Sequence, residues 1–425
     1  MKRFSIATLS LALSAVMAAG SANALTLLDA FERAKQNDAN FAAALDQNRA
    51  AQETINIAKA ANGINASLNV SGGGNYNFDL ETDSRTLSSR IGASKSLYSA
   101  VNDLQIEQAK LSVEKANLSL ASAEQSLMFK VADAYAQHLK ARAQLSSAKA
   151  ERRAIGQQLS VTQARYETGT AAAADVSDAR ARRDQSKVKV ISAEILVETT
   201  ASALAQLIGG PVSDLSEAKE GFTIDEIDGS LDVWLEKVQS RTDFMAAQYD
   251  VEIAQLDVDL ADKITHPTVT LNGNISSNYN DTTGQVMDSA GVTVDLQWVL
   301  LTGGRAQAEL RRAINSTSAA DNQMRSVLDA AEQQVRQAYL RSEADRANIA
   351  ALRSALNSAR IARDAAKAGY EVGTRSSLEL LNAMQSVYGA QTQLSNAQYD
   401  AIINRLALEQ SVGQLDASDL ASFLN

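Results

Sequence analysis

Two stretches of the chain, Ser99 to Ile155 and Arg305 to Ala368, contain neither Gly nor Pro, so nothing in either forces the backbone out of a helix. In the first, Ile106, Val113, Leu120, Leu127, Ala134, Ala141, Ala148 and Ile155 recur every seven positions, with Leu104, Leu111 and Leu118 beside them. An apolar stripe at a period of about 3.5 residues stays against a partner only if the helices coil left-handedly. The second stretch is less regular: Leu328, Val335, Ile349 and Leu356 hold the frame, and Ser342 interrupts it. About 65 residues at ~1.5 Å each reach roughly 95 Å. No globular core of this size accommodates that, so the pattern predicts an elongated molecule.

Between the helices the period changes. Segments 67–78 and 88–96, and later 269–279 and 291–298, read as strands; Val269 to Tyr279 is VTLNGNISSNY and Gly291 to Trp298 is GVTVDLQW. Both alternate apolar with polar residues and are bounded by turn formers. Each segment has about eight to twelve residues, near the roughly 9–11 of a tilted transmembrane strand. Four strands cannot close a barrel, and lipid tolerates no open sheet edge. If these strands span a membrane, copies must share one barrel, two giving eight strands and three giving twelve. The alternative is a structural periplasmic or surface coiled coil capped by water-exposed hairpins, without a pore and extractable without detergent.

The chain also resembles itself at a displacement of about 203 residues. Leu28-Asp29 with Phe31 returns as Leu231-Asp232 with Trp234, and Tyr76-Asn77 as Tyr279-Asn280. Ala164-Arg-Tyr-Glu-Thr-Gly-Thr170 returns as Ala368-Gly-Tyr-Glu-Val-Gly-Thr374. Residues 1–24 read as a cleaved export signal: Lys2 and Arg3, an apolar run from about Ile6 to Ala19, then Ala22-x-Ala24. The expected plan is a first repeat over 25–228, with a helix, a hairpin at 67–96, a long helix at 99–165, a helix at 175–208 and an equatorial segment at 209–230. A second repeat over 229–425 has a helix, a hairpin at 269–298, a long helix at 305–368, a helix at 376–412 and a C-terminal tail. Within each repeat the two short helices together match one long helix, which predicts that they stack end to end along it. No stretch after the signal is expected to cross a membrane as a helix.

Composition removes most chemistry. The 425 residues include no Cys and two His, so thiolate zinc sites, Cys nucleophiles and lipid anchorage on an N-terminal Cys are excluded. A net charge of −10 argues against a nucleic-acid binder. His138 has no second ligand three or four residues away and reads as a surface side chain; His266-Pro267 reads as helix termination. Gly72-Gly73-Gly74 precedes no helix and is no phosphate cradle. No nucleophile, base and orienting group recur together, so no catalytic residue, metal or cofactor is expected and the chain does not read as an enzyme. Tyr76, Tyr279 and Trp298 are candidates for an aromatic girdle at a lipid boundary.

The export signal, the tandem halves, the long helices flanking hairpins and the two Tyr-x-x-Gly-Thr turns together resemble the TolC family of outer-membrane efflux and type I secretion proteins. The most specific stretches are Gly369-Tyr-Glu-Val-Gly-Thr-Arg-Ser-Ser-Leu-Glu-Leu-Leu-Asn-Ala383 and Leu394-Ser-Asn-Ala-Gln-Tyr-Asp-Ala401, and the likeness covers essentially 25–425. It implies an α+β membrane protein: a homotrimer with one twelve-stranded outer-membrane β-barrel continuous with a twelve-helix coiled-coil periplasmic tunnel. Implied with it are a periplasmic adaptor (membrane fusion) protein, an inner-membrane ABC, RND or MFS transporter that opens the periplasmic end, and contact with outer-membrane lipid.

Within that resemblance Glu379 and Asn382, three apart on one helix face, stand where the family's namesake carries two acidic residues at the pore constriction. With one ring neutral, cation selectivity is expected to be weaker. The family's closure links fall on Asp175, Tyr370 and Arg375, with Asp178 beside Asp175, and Lys367 stands where the family has a further acid. Substrate choice, small toxic molecules or secreted protein, is left open by the sequence.

Overall fold

Thr26 starts the first helix. Its hydroxyl accepts the Asp29 N–H at 3.1 Å and the Asp29 carboxylate accepts the Thr26 N–H, closing a capping box. α1 (Leu27–Asn37) stops at Asp38, whose carboxylate accepts the N–H groups of Asn40 and Phe41 and opens α2 (Ala39–Ala60). The sequence reads as one helix here; the aspartate cap is what breaks it. Strands β1 (Ile64–Asn77) and β2 (Thr82–Tyr98) follow, then α3 (Ala100–Glu167) and α4 (Ala173–Ile208). Next come α5 (Leu231–Glu236), a 3-10 turn at Lys237–Ser240, and α6 (Thr242–Lys263). β3 (Thr268–Asn280), β4 (Gln285–Gln297), α7 (Arg305–Glu371), α8 (Ser377–Ser411) and the short α9 (Ala417–Ser422) complete the chain. The computed structural model describes residues 25–78, 82–212, 215, 227–281 and 283–422. The signal at 1–24, most of the segment at 209–230 and the end of the tail lie outside them.

α3 has 68 residues, hence a length of about 100 Å. α2 runs along its first half, where Asn48 Nδ2 donates to Asn117 Oδ1 at 2.8 Å and Asn102 Nδ2 to Asn62 Oδ1 at 2.8 Å. α4 runs along the second half, where Lys189 Nζ donates to Glu151 Oε1 at 2.7 Å. The two short columns meet end to end at mid-length: Asn37 Nδ2 donates to the carbonyls of Gln206 and Leu207. Gly209 is fixed by this junction, since its φ is +70° and a Cβ there would lie 2.6 Å from Asn37 Oδ1. α6 and α8 flank α7 in the same way, with Thr317 Oγ1 donating to the Ala254 carbonyl and Asn404 Nδ2 to Asp345 Oδ2. Lys115–Asp250 and Lys140–Asp400 tie α3 to α6 and α8 across the two sets.

The seven-residue stripe is the packed face. Val113, Leu127, Ala141, Ala148 and Ile155 are buried in α3, and Val335, Ser342, Ile349 and Leu356 in α7. Ser342, which interrupts the apolar pattern, therefore keeps the frame geometrically. The largest buried side chains cluster at mid-length. One group gathers Phe31, Tyr135, Leu139, Leu204 and Leu406; the other gathers Trp234, Val335, Leu408 and Val412. The Tyr135 hydroxyl donates to the Leu25 carbonyl at 2.8 Å and Trp234 Nε1 to the Asp228 carbonyl at 2.9 Å, so neither polar tip is stranded.

All four strands form one antiparallel sheet in the order β1-β2-β3-β4. At 14, 17, 13 and 13 residues they exceed the eight to twelve expected. Most of the extra length is residues 82–87 and 285–290, where Asp83, Arg85 and Asp288 interrupt the apolar alternation and cross-strand pairing holds the backbone extended.

Candidate functional site

Register decides what each sheet face presents. Leu68, Ile91, Ile275 and Ala290 lie opposite one another across the four strands, as do Leu87, Tyr279 and Val286. Since side chains alternate, the same face carries Ile64, Val70, Leu271, Val292, Val294 and Leu296. It is apolar yet uncovered: Ile64 is 74% exposed and Val292 76%. The opposite face carries Asn, Ser, Thr and Gly almost throughout, with Ser71 and Ser88 hydroxyls 2.7 Å apart and Ser276 and Ser289 hydroxyls 2.8 Å apart. A sheet with an exposed apolar face and a polar face inverts the arrangement of a water-soluble sandwich. It is the pattern of a barrel wall between lipid and a wet lumen.

Aromatic residues sit at both ends of the apolar face. Tyr76 and Tyr279 lie toward the hairpin tips, and Trp298 directly follows β4 at the helical end. Two further aromatics stand with them that the sequence pattern did not single out. Phe78 packs edge-on to Tyr76 at 5.1 Å between centroids, and Tyr98 pairs with Val269 beyond a bulge in β2. Arg85 and Lys95 bracket the apolar run on β2; ten residues at ~3.3 Å, tilted about 40°, span roughly 25 Å. Among the described residues β1 and β4 have no neighbour on their outer sides.

At the far end of the helices, α3 turns into α4 through Gly169 (φ +78°) and α7 into α8 through Gly373 (φ +80°). The four residues assigned to closure do not form one cluster in a single chain. Asp175 accepts the Ala172 N–H at 3.2 Å and so caps α4, which starts at Ala173 rather than 175 for that reason. Asp178 is exposed. Arg375 approaches Glu379 at 3.9 Å, and its stem lies against Gly369, where a Cβ would come within 2.8 Å of Arg375 Cγ. Tyr370 is buried and bridges to α3 instead. Its hydroxyl shares a hydrogen bond with Thr162 Oγ1 at 3.2 Å, its carbonyl accepts from Arg165 Nη1 at 3.0 Å, and the Arg165 guanidinium stacks 4.4 Å over its ring.

Sequence reasoning missed Arg165 and Thr162. The available signal was a difference between the two related turns: Arg165 stands where the second turn has Gly369. It also missed Arg182, one turn beyond Asp178, which donates to Asn382 Oδ1 at 2.8 Å and Gln385 Oε1 at 3.1 Å. Glu379 is capped through its N–H by Ser376 Oγ, leaving its carboxylate half exposed.

Two expectations are corrected. His138 is buried, because α4 covers it and Thr200 Oγ1 lies 3.1 Å from Nδ1; burial, with the Arg142 charge adding, holds its pKa below the ordinary value. Among the described residues one helix, α4, is long and apolar enough by composition to cross a membrane. It nevertheless lies along α3, with Lys149–Glu194 and Lys189–Glu151 ion pairs between them. Its exposed Val188, Ile191 and Ile195 fall on one face at helical spacing.

The chain is similar over nearly its whole length to proteins that carry this architecture. It is 30% identical over 93% of its length, and 92% of the relative's, to outer membrane protein TolC of Vibrio cholerae. It is 26% identical over 93%, and 86% of the relative's length, to the alkaline protease secretion protein AprF of Pseudomonas aeruginosa. Among solved structures, CusC superposes with a TM-score of 0.80 at 18% identity, covering 92% of this chain and 93% of CusC. That structure is described as showing conformational changes that accompany folding and transmembrane channel formation. Residues 30–210 and 236–414 match the description of one family, and with these whole-length relatives they identify the chain as a member of the outer membrane efflux protein family.

Proposed function

We propose that three copies of the chain close one twelve-stranded barrel in the outer membrane and continue it as a twelve-helix periplasmic tunnel. The protein is an outer-membrane exit duct for efflux and type I secretion, not an enzyme. The observation that carries the assembly is the sheet, which among the described residues has four strands, two unpaired edges and an uncovered apolar face. Lipid forbids such edges, so the strands must pair with those of other copies. Each chain supplies four helical columns, α3, α7 and the stacked pairs α2 with α4 and α6 with α8, so three chains supply twelve. The two family matches, at 30–210 and 236–414, support reading the halves as tandem repeats.

In this assembly Tyr76, Phe78 and Tyr279 form the outer aromatic girdle, and Tyr98 and Trp298 the periplasmic one. The exposed stripe of α4 faces a neighbouring copy. Glu379 and Asn382 line the narrow end. Tyr370, braced against α3 by Arg165 and Thr162, holds it within each chain, while Asp178 and Arg375 face outward for contacts between copies and Asp175 anchors its turn. A periplasmic adaptor and an inner-membrane ABC, RND or MFS transporter dock at this end and loosen it. The duct carries what the pump delivers; the secretion relative AprF supports protein export as part of its range.

Native mass spectrometry of detergent-solubilised protein, together with planar-bilayer recording, tests this reading. A particle three times the chain mass that conducts ions is expected. A stable single-chain particle, or no conductance, refutes it.

A further inference from the structure

We infer that Arg182 sets the ion selectivity of the narrow end, cancelling the negative potential that Glu379 would otherwise impose. The inference rests on the duct reading above and adds a residue and a charge balance to it. Arg182 is held by three amide oxygens: Asn382 at 2.8 Å, Gln385 at 3.1 Å and Gln185 at 3.4 Å. Among the described residues no carboxylate lies within ion-pair distance of it. Its positive charge is therefore held in place by neutral groups and not by an ion pair. Glu379, one helical turn away on α8 from the asparagine that holds Arg182, has its carboxylate 3.9 Å from Arg375, with both side chains about half exposed. The constriction thus carries a rigid cation and a partly paired anion in each chain.

Position 382 explains why the arrangement is tolerated. An aspartate there would pair with Arg182 and cancel it; the amide of Asn382 binds the guanidinium through one oxygen without neutralising it. Three copies place three such cations around one axis, in a water-filled neck where field lines concentrate. A unit charge about 7 Å from a permeating ion in water changes that ion's local concentration by roughly threefold, in opposite senses for cations and anions. Screening at ~0.1 M salt roughly halves the effect of each charge, so the three together change the cation-to-anion permeability ratio by about twentyfold. The wild-type channel should accordingly discriminate weakly, with a ratio near one.

The experiment is the reversal potential of the full-length trimer in planar bilayers under a KCl gradient. Arg182→Gln should raise the potassium-to-chloride permeability ratio about twentyfold, while Arg182→Lys, which keeps the charge and loses the fork, should leave it near wild type. Glu379→Gln should move the ratio toward chloride with Arg182 in place. An Arg182→Gln channel of normal conductance with the wild-type ratio overturns the inference and leaves the duct reading intact. Should that variant fail to assemble, an unchanged ratio in Glu379→Gln overturns it equally. A wild-type protein that conducts nothing overturns both.

Discussion

Arg165→Ala should open the narrow end more than any substitution at the residues first assigned to closure. Arg165 donates to the Tyr370 carbonyl at 3.0 Å and covers the Tyr370 ring at 4.4 Å. A hydrogen bond from a charged donor contributes about 1.5–3 kcal/mol. The stacked guanidinium adds about 0.5–1 kcal/mol at a partly exposed site. Removing both costs about 2–4 kcal/mol per chain, so a closed-to-open equilibrium within one chain moves by at least about 30-fold. Tyr370→Phe and Thr162→Val each remove the one neutral hydroxyl bond between α7 and α3, at 3.2 Å, about 1 kcal/mol; the other bonds of Thr162 Oγ1, to Gln158, lie within α3. Arg375→Ser removes an exposed pair at 3.9 Å, and such pairs contribute ~0–1 kcal/mol.

The expected order of single-channel conductance in planar bilayers is therefore Arg165→Ala well above Tyr370→Phe and Thr162→Val, with Arg375→Ser near wild type. Asp175→Ala should act through the helix cap, lowering thermal stability of the turn with little change in conductance. The reasoning fails if Arg165→Ala conducts like wild type while Arg375→Ser or Asp175→Ala conducts strongly. That outcome would place the latch between copies and not between α3 and α7 of one chain.

Three further outcomes are expected. Ile195→Asp puts a charge in the exposed stripe of α4; circular dichroism should be unchanged while native mass spectrometry shows the trimer lost, and an intact trimer would mean that this face meets only water. Asp345 has its carboxyl pKa raised by burial, with the Asp400 charge adding; a carboxyl raised on folding contributes stability when protonated, and loses that contribution as pH rises through its folded pKa. Asp345→Asn should hence melt above wild type at pH 8 and converge with it toward about pH 4, and parallel melting curves would refute the assignment. Trp298 should account for the tryptophan emission quenched by lipids brominated near the headgroup, so that Trp298→Phe abolishes the quenchable fraction; undiminished quenching in that variant would remove Trp298 from the boundary.

Much of the architecture is visible in the chain because it is periodic. The seven-residue stripe from Ile106 to Ile155 names the packed face of α3 in advance, and the alternation in Val269 to Tyr279 names both faces of β3. Boundaries and partners are harder to read. Asp38 breaks one expected helix into two through a local cap, which periodicity over a long window averages away. His138 looks like a surface residue beside Lys140 and Arg142, and only the neighbouring helix makes it buried. At the narrow end, residue types were legible and pairings were not. Tyr370 finds Thr162 and Arg165, 208 and 205 residues away along the chain, and no local spacing encodes such a choice.

The distribution of buried volume also says where the molecule can move. Trp234, Tyr135, Phe31, Leu139 and Leu408 are all almost fully buried in the mid-length clusters, where both sets of short helices join. Burying one such side chain contributes about 1.5–3 kcal/mol, so separating the helices there would be costly. Toward the Gly169 and Gly373 turns the clusters shrink to Ile155, Leu159, Ala179 and Leu381, and to Ala366, Tyr370 and Leu380. Alanines bury little, and Ser377 Oγ is buried there with no hydrogen-bond partner among the described residues. Small clusters with polar links open at lower free energy than large ones. A pull applied by a docked pump and adaptor would therefore be absorbed near Gly169 and Gly373, with the mid-length core acting as a fixed collar. Such a gradient lets the end at Gly169 and Gly373 open while the sheet, joined to the mid-length core through α3 and α7, keeps its register.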